Sequence, residues 1–70
     1  MTYKAIVERG DTSWGAYIPD LPGCIAVGQS RVEVESLIRA AASAHVELLR
    51  DRGEKVPKPS TVALIDVNAA

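Results

Sequence analysis

Strand-forming residues and turn residues succeed one another in the first 28 positions, in the manner of short β-strands. Segments Tyr3–Arg9 and Trp14–Ile18 carry the strand formers, and the turn residues at 10–13 between them predict a hairpin. The two prolines of Pro19–Gly23 have no N–H to donate, so this run predicts a loop or a tight corner. Cys24–Gly28 then predicts a short third strand.

The pattern changes to a helical period after the third strand. Ser30 can accept a hydrogen bond from the N3 amide, and Glu33 three residues later completes a capping box. Gly53 can adopt the left-handed conformation that ends a helix. One stripe and its flanks are expected to face the sheet: Val34, Leu37, Ile38, Ala41, Ala44, His45, Leu48 and Leu49.

A nearly continuous apolar run at Thr61–Val67 predicts a fourth strand, covered on both faces. The predicted order is β-β-β-α-β, with strand 4 parallel to strand 3 or strand 1 after a right-handed crossover. We therefore expect one α+β domain over residues 1–70, in which a mostly antiparallel four-stranded sheet carries one helix on one face. The other face is free for a partner, a second subunit, or both.

Composition narrows the possible functions of the 70-residue chain. A core of this size is small for independent stability. With one Cys and one His, the chain can form neither an internal disulfide nor a closed zinc site. We therefore expect stabilisation by self-association, as a homo-oligomer that is a dimer or a tetramer. A net charge of -1 disfavours direct nucleic-acid binding. Neither a membrane-length apolar run nor a signal-peptide core is present, which predicts a cytoplasmic protein.

The run Tyr17–Cys24, Y-I-P-D-L-P-G-C, resembles the signature of HicB-like antitoxins. Gly28, the capping box at Ser30, the helix middle around Ala44–Leu48 and the exit loop Gly53–Ser60 extend the resemblance from about position 3 to position 60. It implies a truncated RNase H-like β-β-β-α-β fold. It also implies a partner, a small basic HicA-like toxin that cleaves mRNA and that the antitoxin occludes.

The sequence departs from the family pattern in two places. Residues Arg31–Ser36 replace the usual Glu-Glu-Ala cluster at the start of the helix, which is expected to alter only the surface. Many relatives carry a C-terminal DNA-binding domain. Because this chain stops at Ala70, we expect no such domain and no direct autoregulation through DNA.

An RNase H-like outline raises the possibility of a nuclease, which would need several carboxylates converging on divalent metal ions. The middle of strand 1, where one carboxylate should lie, is Ala5-Ile6-Val7, and Glu8 comes near the strand's end. We therefore predict no enzyme, no catalytic or metal-binding residue and no cofactor. A vestigial nuclease and an orphan oligomeric scaffold without a toxin remain as alternatives. His45 and Cys24 are interpreted as packing residues.

Partner contacts are assigned by residue type. Trp14 and Tyr17 are separated by three positions, so they face opposite sides of strand 2, and one of them is expected to anchor a partner. Asp20 is expected to cap amides of its own corner, a role compatible with toxin contact. The candidate partner residues are Trp14, Tyr17, Asp20, Leu21, Glu33 and Glu47. Structural roles are expected for Pro19, Pro22, Gly23, Cys24, Ser30 and Gly53.

Overall fold

Three antiparallel strands and one helix make up the fold in the computed structural model, which describes residues 1–69. The elements are β1 (Ile6–Arg9), β2 (Trp14–Tyr17), β3 (Ile25–Gly28) and α1 (Arg31–Asp51). The sheet order is β1-β2-β3, and both strand pairs are antiparallel. The predicted small α+β class is confirmed. Each strand is shorter than predicted.

The register of the strands divides their side chains between two faces. Val7, Ala16 and Ala26 lie side by side on the face that α1 covers, where they contribute to the core. Ile6, Glu8, Gly15, Tyr17, Ile25 and Val27 share the opposite face, which we call the open face.

Small residues on the covered face allow the helix to approach the sheet closely. A Cβ atom on Gly28 would lie 2.9 Å from Oε1 of Glu33 and 3.1 Å from the amide nitrogen of Val34. Any larger residue at this position would therefore push the start of α1 away from β3. The buried core between the layers comprises Ala16, Ile18, Leu21, Cys24, Val34 and Ile38.

Both ends of α1 are closed by the residues that the sequence predicts. Ser30 is the N-cap, and its Oγ accepts from the amide of Glu33 at 3.1 Å. The Glu33 carboxylate accepts from the amide of Gln29 at 3.0 Å. At the other end Gly53 has φ 69°, and the amides of Gly53 and Glu54 donate to the carbonyls of Arg50 and Leu49. This is a Schellman motif, which satisfies carbonyls at the helix end.

The helix is rotated relative to the predicted packing stripe. Val34 and Ile38 are buried as expected, but Ala42 and Val46 pack against the core, and Ala44 and Leu48 are exposed. Leu37 is also exposed. The physical reason is that the sheet has only three strands within residues 1–69, so the Leu37–Leu48 flank of α1 extends beyond it.

The predicted fourth strand is not formed. Residues Thr61–Val67, called here the C-terminal segment, have no strand assignment, and the apolar side chains at 62, 64, 65 and 67 are 55–86% exposed. The residues that lead into the segment are held in place, because the Tyr3 hydroxyl donates to the carbonyl of Pro57 and Asp20 accepts from Ser60. Asp20 also accepts from Thr61, the first residue of the segment. A strand needs a neighbour for its backbone groups, and within residues 1–69 the segment lies on neither edge of the sheet.

Candidate partner-binding surface

The corner between β2 and β3 is held by its own backbone. The Leu21 amide donates to the carbonyl of Ile18 at 3.0 Å, and the Cys24 amide donates to the carbonyl of Leu21 at 3.0 Å. Ile18 in turn donates to the carbonyl of Cys24 at 3.2 Å. Gly23 has φ 85°, a conformation that favours glycine. Pro19 and Pro22 are exposed at the surface of this compact turn.

The sequence predicts that Asp20 caps amides of its own corner, but the structure gives this carboxylate other partners. Its carboxylate accepts four hydrogen bonds from residues 40 and 41 positions later: the amide and hydroxyl of Ser60 at 3.0 and 2.6 Å, and those of Thr61 at 3.1 and 3.3 Å. Hydrogen bonds led by that from the Ser60 hydroxyl stabilise the ionised carboxylate and lower the pKa of Asp20. Asp20 therefore ties the start of the C-terminal segment to the β2–β3 corner.

The two aromatic residues of β2 lie on opposite faces, as their spacing requires. Trp14 is half-buried and packs against the core on the helix side. Tyr17 lies on the open face, where 37% of its surface is exposed. Tyr17 is therefore the more exposed of the two, and it lies on the face that the helix leaves open.

The structure does not support Leu21 as a partner residue. The sequence predicts contact with a partner, but Leu21 is only 1% exposed and is one of the two largest fully buried side chains among residues 1–69. Pro19 and Pro22 are exposed, whereas the side chain of Leu21 enters the core. Contact with a partner would require Leu21 to leave that core.

The two acidic candidates on the helix, Glu33 and Glu47, lie on a different surface from Tyr17. Glu33 is occupied at the N-terminal end of α1, where it accepts from Gln29. Glu47 borders a shallow groove beside Tyr3 and Ser43. Fourteen residues of helix separate the two acids by about 21 Å. Both belong to the helical layer, so neither shares a surface with Tyr17.

An apolar patch on the open face was not anticipated from the sequence. Ile25 and Val27 on β3 are 67% and 63% exposed, and Ile25 is the cross-strand neighbour of Tyr17, which also neighbours Ile6. The signal was present in β3, where large residues alternate with Ala26 and Gly28. Since the alanine-rich helix needs the small residues on its own side, the large residues must point away from it.

Cys24 and His45 both lie outside this patch. Cys24 is buried, and its desolvation raises the pKa of the thiol. His45 is half-buried on α1. Among residues 1–69, no three side chains of the His, Cys, Asp or Glu types are grouped as a metal site would require.

No helix within the described part of the chain has both the length and the apolar character needed to cross a membrane.

Comparison with known proteins agrees with the resemblance seen in the sequence. Residues 3–69 match the family described as the HicB_like antitoxin of bacterial toxin-antitoxin systems. A UPF0150 protein of Thermoplasma acidophilum is 30% identical over 59 residues, covering 83% of this chain and 86% of the relative. An uncharacterized 14.9 kDa protein of Haemophilus phage HP1, encoded in its rep-hol intergenic region, is 27% identical over 62 residues. That match covers 89% of this chain, but the chain spans only about half (47%) of the phage protein's length.

Proposed function

Since the chain belongs to the HicB-like antitoxin family of bacterial toxin–antitoxin systems, we propose that it neutralises a small basic HicA-like toxin by covering the surface with which that toxin cleaves mRNA. The inhibitor acts stoichiometrically in the cytoplasm and needs no cofactor. The family match supports the antitoxin role. The choice of toxin follows from the resemblance of Tyr17–Cys24 to the family signature.

The open face is the observation that carries this proposal. Tyr17 lies on the central strand between Ile6 and Ile25, so an exposed aromatic ring is surrounded by aliphatic side chains. Contiguous exposed apolar surface on a small protein marks an interaction site, and tyrosine is enriched among the residues that dominate binding energy. We assign Tyr17 as the anchor of the toxin contact.

Charge supplies a second, weaker argument for a basic partner. Glu8 is exposed on the open face and adjoins the apolar patch at the end of β1. A rim carboxylate beside an apolar centre speeds encounter with a basic protein more than it strengthens the final complex. Glu33 and Glu47 lie in the helical layer and would act only through the long-range field.

Growth of a bacterial host tests the proposal. An antitoxin of this family is expected to be encoded beside a short basic reading frame. That frame is induced alone, then together with the chain, and complexes are purified through a tag on the chain. We expect growth arrest with the toxin alone, relief on co-expression, and co-purification of the toxin. No arrest, or arrest without relief or capture, would favour an orphan oligomeric scaffold whose open face serves only copies of itself.

Three variants locate the contact. Tyr17→Ala should weaken capture and relief, because it removes the ring from a surface that does not support the core. Tyr17→Phe keeps the ring and should retain most of the binding. Val32→Ala is the matched control, since Val32 is 78% exposed on the helical layer. Equal capture by Tyr17→Ala and the control variant would remove the open face from the toxin contact.

A further inference from the structure

The C-terminal segment has the composition of a strand but no strand partner. It reads T-V-A-L-I-D-V, with one charge and several β-branched residues, which favour extended backbone. Ile65 is 80% exposed. Burying an aliphatic segment of this kind against other apolar side chains would lower its free energy. The segment therefore lacks a partner that its sequence favours.

The start of this segment is held in place. The Asp20 carboxylate binds both the backbone and the side chains of Ser60 and Thr61, so the chain leaves the body from the β2–β3 corner in a defined position. Six residues from Val62 to Val67 extend over roughly 20 Å at about 3.3 Å per residue. This length is sufficient to span a four-residue strand such as β3.

β3 is the sheet edge best suited to receive such a segment. An edge strand exposes unpaired backbone groups, and natural proteins protect edges with charges or proline. β1, at the other edge, carries Glu8 and Arg9, whereas Ile25–Gly28 contains neither a charge nor a proline. The β3 edge is therefore both unpaired and unprotected within the described chain.

The exposed flank of α1 indicates room for a strand at the same place. Arg39 and Ser43 face Tyr3, which precedes β1, so helical periodicity turns Leu37 and Leu48 toward the β3 side. Leu37 and Leu48 are 42% and 47% exposed. A strand added beside β3 would lie under this flank and cover both leucines.

We propose that two copies of the chain exchange their C-terminal segments, each adding Val62–Val67 as a fourth strand beside β3 of the other copy. In a single chain the segment does not occupy its own β3 edge, and its apolar side chains stay exposed. A second copy offers the same uncharged edge, and a net charge of -1 per chain sets up little repulsion between copies. The exchange does not depend on the identity of any toxin.

Cross-linking between differently tagged copies tests both the exchange and the edge. In a Cys24→Ala background, a copy with Ile65→Cys is refolded together with a copy carrying Val27→Cys and treated with a short bis-maleimide. We expect a mixed cross-linked dimer. The matched pair replaces Val27→Cys with Ile6→Cys, which lies on the same face but on the β1 edge, and should give little product.

Three outcomes would overturn the proposal. The first is preferential cross-linking of the Ile6→Cys pair. The second comes from a double variant that carries both Ile65→Cys and Val27→Cys: cross-linking only within one chain, and none between copies, would contradict the exchange. The third is a wild-type chain that light scattering finds to be monomeric at the concentrations used for refolding.

A point variant gives an independent measurement. Light scattering should find the wild-type chain as an assembly of an even number of copies, and Ile65→Glu should shift it to the monomer. Because Ile65 is exposed in the single chain, this substitution does not threaten the fold of the monomer. Val32→Glu, at a site of similar exposure on the helix, should leave the assembly intact. An unchanged assembly in Ile65→Glu would contradict the exchange.

Discussion

Replacing Leu21 by alanine should destabilise the whole domain, although the residue lies in a surface corner between two strands. Leu21 is 1% exposed and belongs to a core of only six buried residues among positions 1–69. The corner is fixed by backbone hydrogen bonds from Leu21 and Cys24, so it cannot easily collapse to fill the vacated volume. The cavity should therefore persist.

The magnitude follows from the lost carbon atoms and the cavity. Removing three buried carbons costs about 2.4 kcal/mol at roughly 0.8 kcal/mol each. A persistent cavity brings buried Leu→Ala substitutions into the range of about 2–5 kcal/mol. A domain of this length has a total stability on the order of 4–10 kcal/mol. We expect Leu21→Ala to lower the free energy of unfolding by about 3 kcal/mol, and Tm by more than about 10 °C.

Urea unfolding monitored by tryptophan fluorescence measures this effect. Trp14 is the single tryptophan and packs half-buried against the core, so its emission reports on the folded state. Val32→Ala is the control, because it shortens an aliphatic side chain of α1 that is 78% exposed and lies outside the Leu37–Leu48 flank. Several protein concentrations are needed, since association would make the apparent stability depend on concentration.

The reasoning fails if Leu21→Ala and Val32→Ala destabilise equally, or if Leu21→Ala costs less than about 1 kcal/mol, well below the range for a buried leucine. Either result would mean that Leu21 is not a core residue in solution. It would also return Leu21 to the set of residues available to a partner.

Other predictions concern the helix cap, the Asp20 contact and the thiol. Ser30→Ala should destabilise by about 0.5–2 kcal/mol in thermal unfolding through loss of the N-cap, whereas Ser43→Ala in the exposed helix should not. The pKa of Asp20 is lowered on folding, so its contribution to stability is present above the ordinary value of 3.8 and is lost as pH falls through the lower folded value. A carboxyl NMR titration with a midpoint at or above 3.8 would contradict the contact with Ser60, and Asp20→Asn should remove this pH dependence. Cys24, buried and with a raised pKa, should react slowly with a thiol reagent at neutral pH and rapidly in urea; fast reaction of the native protein would show that the core opens there.

The sequence is a sufficient guide where the interactions are local. Ser30 and Gly53 mark the ends of α1 because capping groups bind amides and carbonyls only a few residues away. The three strands and the compact corner follow from strand formers, turn residues and two prolines over short distances. The family signature also lies within one continuous run of eight residues. These features require no knowledge of which elements meet.

Tertiary structure decides what depends on residues far apart in the chain. The partner of Asp20 is 40 residues away, so its spacing in the sequence carries no signal of the contact. Which of Trp14 and Tyr17 is left on the open face depends on the side of the sheet that the helix covers. An apolar run such as Thr61–Val67 favours a strand by composition, but a strand forms only where another backbone supplies its hydrogen bonds, and the sequence does not say which backbone that is.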